Sequence, residues 1–257
     1  MSKYSYLISQ MTWSFSRLRC FEDCPYRFLL NYIYITNEDP MFYAEYGVLV
    51  HQLLAGYYAG SIRKEDLPGM FMSGFVLKIR GAISPEIRRK FFNQGLECMN
   101  RIEPCPLKIV GIEQEVHFWI DDYPFTGYID MLLQKPDGGF ILVDHKSHQL
   151  KPRSNRKKPT KADQELDAYL RQLYLYSVWV EKQYGAVPDE LVFHCYRTGE
   201  IIREKFDHDA YARAKSWAVD LIHKIEATED YNPSLDFFSC RYLCGVHEDC
   251  IYSELGG

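Results

Sequence analysis

The sequence predicts a mixed α/β protein, with a central mixed β-sheet flanked by helices. Two observations carry that expectation. The stretch GYIDMLLQKPDGGFILVDHK, residues 127–146, reads as two apolar strands around a turn. Along the chain the order is helix, strand, hairpin, helix, strand, helix, which suits a sheet covered by helices.

The composition sets the class. The 257 residues can bury a core, and no composition break marks a linker, so 1–257 reads as a single domain. Hydrophobic residues at 47% and aromatics at 15% exclude disorder. The net charge of -5 gives no global basic field, so any nucleic-acid contact must rest on a local basic patch and on metal ions. MSKYSYLISQMTWSF contains no long apolar core, and no run of about 18 apolar residues occurs, so no membrane partner is expected. The protein reads as cytoplasmic, where its eight cysteines are free or metal-bound rather than paired.

The elements follow in order. Ser14 or Ser16 caps a helix running to Asp23, and Pro25 suits the first turn of another that ends near Tyr34. Asp39-Pro40 reads as the start of a third helix, in which Gly47 and His51 share a face and Gly47 permits close backbone packing. The 61–83 stretch is a helical or irregular connection, and Ser84-Pro85 opens a helix to about Glu103. A strand covers 107–120, whose Glu113 and Glu115 could approach a metal but are expected in solvent. The hairpin follows, from about 125 to 134 and from 140 to 146, around Pro136-Asp137-Gly138-Gly139.

In the second hairpin strand Phe140, Leu142, Asp144 and Lys146 share one face. A two-residue turn would set Asp130 opposite His145, whereas an odd-length loop or a glycine bulge sets it opposite Asp144. In the second case two carboxylates and a lysine converge. Those are the parts that metal-assisted phosphodiester hydrolysis needs. Acids supply hard oxygen ligands to Mg²⁺ or Mn²⁺, and a lysine orients water or stabilises charge on the phosphate.

Six Lys or Arg fall between 151 and 161, and a solvated, partly disordered loop bearing Lys151, Arg153, Arg156, Lys157 and Lys158 would lie near a phosphodiester substrate. Asp163 can cap a helix to Tyr184, closed by Gly185, with Leu166, Leu170, Leu173, Ser177 and Val180 as its buried stripe. Gln172 and Tyr176 lie four apart on a neighbouring face. A strand over 191–197 and a helix over 208–226 complete the regular elements. The tail carries Cys240, Cys244 and Cys250 within eleven residues, a spacing suited to ligands in a loop.

Together these motifs resemble the PD-(D/E)XK nucleases, specifically the RecB-like exonuclease branch. The matching residues are Ser16, Leu18, Phe21, Cys24, Pro25 and Phe28; Gly47 and His51; Gly127, Ile129 and Asp130; Asp144 and Lys146; and Gln172 and Tyr176. The resemblance implies a restriction-endonuclease-like sheet. It assigns His51, Asp130 and Asp144 to Mg²⁺ or Mn²⁺, Lys146 to the nucleophilic water, and Gln172 and Tyr176 to the substrate phosphate. It also implies a [4Fe-4S] cluster on Cys24, Cys240, Cys244 and Cys250, which would make a lobe from residues 14–34 and 240–250. The family spacing is Cys-x-x-Cys-x5-Cys, and here the first gap is one residue longer. Zinc is the alternative, with Cys20 or His247 as replacement ligands.

The implied activity is a DNA exonuclease. Its partners would be DNA ends and, since no Gly-x-x-x-x-Gly-Lys-Ser/Thr loop is present, a separate helicase or recombination protein. An endonuclease, or a non-catalytic DNA-binding protein on the same fold, is the alternative. Neither is favoured, because no DNA-reading element is recognisable and both acids and the lysine are retained.

Overall fold

The computed structural model describes residues 3–253. Its elements run α1 (Ser5–Ser9), α2 (Phe15–Asp23), α3 (Pro25–Phe28, continued as a π turn over Leu29–Ile33), α4 (Phe42–Tyr58), α5 (Leu67–Lys78) and α6 (Pro85–Arg101). There follow β1 (Lys108–Ile120), β2 (Tyr123–Gln134), β3 (Phe140–Lys146), α7 (Lys161–Tyr184), β4 (Glu190–Cys195), β5 (Glu200–Lys205), α8 (His208–Ala227) and α9 (Phe237–Tyr242). The strands form one mixed sheet in the order β1-β2-β3-β4-β5. Only β3 and β4 are parallel, and α7 is the crossover that a parallel pair requires.

Each face of the sheet buries a different apolar set. On one side Leu132, Phe140, Leu142, Leu191, Phe193 and Ile202 pack with the inward stripe of α7 and with Ala214, Ala218 and Ile222 of α8. On the other side Met131, Leu133, Ile141, Val143 and Val192 form a smaller cluster. Helices α4, α5 and α6 build a third cluster, which takes in Tyr196 beyond the end of β4.

The hairpin takes the odd-length option. Lys135 N donates to Gly139 O at 2.8 Å and Gly138 N to Lys135 O at 3.0 Å, with Gly138 at φ +92°. The β2–β3 register runs from Gln134↔Phe140 to Met131↔Val143, which continues to set Asp130 against Asp144.

Several local expectations change. Asp39-Pro40 does not start α4, whose N-cap is Met41. Instead, residues up to Pro40 stay outside the helix, and Asp39 N donates to Gly245 O at 2.6 Å, tying this segment to the C-terminal lobe. Helix α7 is capped by Thr160, with Asp163 three residues inside it completing a capping box. Gly47 is not a close-packing residue, because a Cβ there would meet no atom within 4 Å. The edge strand β5 went unpredicted.

Candidate metal centre and active site

Three elements bring the site together. Helix α4 offers His51, β1 offers Glu113 and β2 offers Asp130. His51 Nδ1 lies 3.2 Å from Glu113 Oε1 and 3.5 Å from Asp130 Oδ1. Among the described residues this is the only group of three His, Cys, Asp or Glu ligand atoms lying within 4.8 Å of one another. A backbone irregularity accompanies the convergence. Glu113 sits in β1 at φ +42°, a conformation that L-residues adopt at some cost and that recurs at functional sites. Glu113 is therefore not the solvated side chain expected from the strand pattern. Glu115 is exposed and faces His117 at 3.5 Å.

The backbone of His145 closes the group. Its N–H donates to Asp130 Oδ2 at 2.6 Å, and its carbonyl accepts from His51 Nε2 at 2.9 Å. Both nitrogens of His51 thus face only acceptors, so the metal-free ring is held as an imidazolium. Burial works against that charge. The bonds to Asp130 and then Glu113 outweigh it and push His51 up to about 10. Asp130 responds in the opposite sense: burial would raise it, but His51 holds it below the usual carboxylate range.

Asp144 and Lys146 stand beside this group on the face of β3 that meets α7. Asp144 Oδ2 pairs with Lys146 Nζ at 2.8 Å. Burial raises Asp144 to about 6 even against the pull of Lys146. The ammonium also donates to Gln172 Oε1 at 3.0 Å and sits 5.0 Å from the centre of the Tyr169 ring. Gln172 Nε2 in turn donates to Tyr176 OH at 3.3 Å. One continuous chain of contacts therefore joins Asp144, Lys146, Gln172 and Tyr176.

Gly127 makes that chain possible. A Cβ at Gly127 would fall 2.4 Å from Tyr176 Cε1, so the Gly-x-Ile-Asp pattern leaves room for the tyrosine ring against β2. The side chain of His145 points the other way, with Nδ1 3.0 Å from His194 Nδ1, and burial depresses it to about 3. It lines an apolar cavity of about 350 Å³ with Tyr58, Met131, Val143 and His194. That cavity lies on the reverse face of the sheet, and no carboxylate of the metal group lines it.

The basic loop after β3 is more ordered than its composition implied. The Asp163 carboxylate accepts from N and Oγ of Ser154 and from N and Oγ1 of Thr160, each at 2.7 Å. These bonds hold Asp163 far below the usual carboxylate range. Arg153 pairs with Asp167 at 2.7 Å and Glu204 at 3.0 Å, so it is committed within the fold. Lys151, Arg156, Lys157 and Lys158 are exposed.

Cys24 and Cys240 meet through Ser234 beside the start of α3. Cys24 Sγ accepts from Arg27 N at 3.5 Å and from Ser234 N at 3.4 Å, while Cys240 Sγ lies 3.8 Å from Ser234 O. Burial raises the Cys244 and Cys250 thiols. The four sulfurs share one lobe without forming a compact ligand group. Cys20 is buried against Arg27 Nε at 3.3 Å, and burial pushes it up to about 11, which suits a structural thiol better than a ligand.

Comparison with known proteins agrees with this geometry. The model of the PD-(D/E)XK nuclease superfamily matches residues 12–251. The chain belongs to the PD-(D/E)XK nuclease superfamily. These nucleases use divalent metals, and the His51, Glu113 and Asp130 donor set, with the His145 carbonyl, has the imidazole and oxygen chemistry that such an ion takes. Among solved structures, a "putative exonuclease" from Eubacterium rectale aligns over 90% of this chain and 87% of its own, with a TM-score of 0.54 and 13% identity. That similarity shows a shared fold. No match was found among curated proteins.

Proposed function

We propose that this nuclease is a DNA exonuclease of the RecB-like type, a single domain that degrades strands from their ends. The observation that carries the reading is the adjacency of two assemblies. The His51–Glu113–Asp130 group holds the acceptors for a divalent ion, and the Asp144–Lys146–Gln172–Tyr176 chain holds a buried ammonium beside it. A bound Mg²⁺ or Mn²⁺ would polarise the scissile phosphate and lower the pKa of its water.

The remaining work belongs to the chain itself. His51, Glu113 and Asp130 form the binding group, with Asp144 alongside as a further oxygen ligand once its pairing with Lys146 loosens. Lys146 orients the attacking water and stabilises charge on the phosphate, because burial keeps its ammonium partly desolvated. Gln172 fixes where that ammonium points, and Tyr176 fixes Gln172. Lys151, Arg156, Lys157 and Lys158 add a basic approach for the strand, while Arg153 braces the loop.

The reading includes a [4Fe-4S] cluster on Cys24, Cys240, Cys244 and Cys250, with zinc as the alternative; what favours it is that Ser234 touches both Cys24 and Cys240, and the four sulfurs would have to draw together to hold either metal. No helix among the described residues is long and apolar enough to cross a membrane, and the reading places the enzyme in the cytoplasm beside a helicase or recombination partner. Linear and covalently closed circular DNA distinguish the exonuclease from an endonuclease. Linear DNA should be degraded while the circle survives; equal loss of both would overturn the proposal.

A further inference from the structure

One charged group near this site has no ion-pair partner. Arg197 follows Tyr196, whose N–H donates to Lys146 O at 3.2 Å and whose ring lies 6.1 Å from that of His51. Its guanidinium stacks on Phe91 at 3.8 Å, and its Nε and Nη1 are shut off from solvent without a hydrogen-bond acceptor. The groups that act on it electrostatically are Tyr46, Tyr196 and Tyr43, and burial lowers it from its ordinary range.

The other half-buried arginines among the described residues are all satisfied. Arg17 donates to Thr12 O, Arg19 to Glu22, Arg27 to Asp23, Arg88 to Gly81 O and Arg171 to Glu22. A half-buried cation without a counter-charge carries a desolvation cost that an anion would offset. A second open donor lies close by. His148 Nε2 is also buried without a partner, and the charges of both Lys146 and Arg197 act on that ring. Lys146 and Arg197 thus place positive charge at the ends of β3 and β4, and burial depresses His148 to about 4, so its ring is neutral. Arg197 carries no carboxylate to cancel its charge.

We infer that Arg197 is a substrate-positioning residue that receives a backbone phosphate of the bound strand, one other than the phosphate being cut. The inference rests on the nuclease reading above. With Nε and Nη1 enclosed, Nη2 is the nitrogen left to meet a phosphate, and the stacking on Phe91 fixes where it points more firmly than a flexible lysine would.

The test combines binding and turnover of an oligonucleotide by the full chain. Arg197→Gln should raise KM by about tenfold or more, leave kcat within about threefold, and reduce the slope of log affinity against log salt by about one phosphate contact. Arg197→Lys should recover part of the affinity. Melting without DNA should fall by no more than a few degrees in Arg197→Gln, because only the stacking on Phe91 is lost and no ion pair. Binding measured in Ca²⁺ should be weakened by one neutral methylphosphonate in the wild type, and that same substitution should add nothing in Arg197→Gln.

Equal effects on 5′-phosphorylated and 5′-hydroxyl ends assign the contact to an internal phosphodiester. An effect confined to 5′-phosphorylated ends assigns it to the terminal phosphate and overturns the internal placement. Wild-type KM and salt slope in Arg197→Gln would overturn the inference, as would a joint loss of melting temperature and kcat. A wild-type protein that binds DNA but never cuts it would instead overturn the nuclease reading, with the binding arms still reporting on Arg197.

Discussion

Replacing Gly127 by alanine should damage the site through a residue that carries no chemistry. The added Cβ would lie 2.4, 2.8 and 2.9 Å from Cε1, Cζ and OH of Tyr176. That ring is buried, 6% exposed, and α7 is fixed at both ends by its capping box and by Gly185 at φ +74°. The ring cannot swing away freely, so the substitution overpacks the interface at a cost of about 1–3 kcal/mol. In a chain of this size each kcal/mol lowers Tm by about 2–4 °C.

The catalytic loss should exceed what that destabilisation explains. A displaced Tyr176 releases Gln172, and Gln172 is the amide that aims Lys146. Misplacement by a fraction of an ångström makes a fall in kcat on the order of tenfold to a hundredfold reasonable. Thermal melting and single-turnover cleavage of a labelled oligonucleotide read the two effects separately. Tyr176→Leu removes the ring, so Gly127→Ala should cost less stability in that background than alone. Wild-type melting and turnover in Gly127→Ala, or strict additivity of the two changes, would refute the reasoning.

Other outcomes follow from the same geometry. Lys146→Ala should abolish cleavage while DNA affinity stays nearly intact, since its contribution belongs to the transition state; a variant that cuts at the wild-type rate removes it from the mechanism. Metal binding should be proton-linked: His51 stands at about 10 and must shed its proton to ligate, so Mn²⁺ affinity should climb from neutral pH toward that value, with release of about one proton per ion by calorimetry in buffers of different ionisation enthalpy. A pH-independent affinity between pH 7 and 9 would contradict that. Glu113→Gln should shift the Mn²⁺ titration of activity to higher concentration, and an unchanged titration would return Glu113 to a structural role. Anaerobically purified protein should carry iron and sulfide and look brown, and Cys24→Ser should lose that colour and melt earlier, whereas a colourless, metal-free wild type would exclude the cluster.

Much of the scaffold was legible because its signals are local. Period-two apolar runs gave the hairpin, the Gly pair allowed the odd-length loop, and the α7 stripe of Leu166, Leu170, Leu173, Ser177 and Val180 is buried as its spacing implied. The edge strand β5 escaped notice because Glu200–Lys205 is short and half polar, although Gly199 at φ +76° marks the turn that feeds it. Glu113 departs from its strand pattern for a different reason. A strand pattern assumes a regular pleat, and the positive φ that accompanies its approach to His51 has no signature in a non-glycine residue. Gly47 shows the converse: its spacing from His51 was readable, but the open space around it belongs to tertiary structure. Asp39 has the local preference of a helix cap, but its backbone N–H bonds the distant Gly245 carbonyl instead.

The central claim is that the His51–Glu113–Asp130 group and Lys146 together run a metal-dependent cleavage of DNA. End-labelled linear DNA incubated with wild-type protein, Asp130→Asn and Lys146→Ala, each in Mg²⁺, Mn²⁺ or EDTA, tests it most directly. Cleavage by the wild type alone, and only with a divalent ion, is the predicted result. Cleavage that persists in EDTA or in Asp130→Asn, or a wild type inert in both metals, would contradict it.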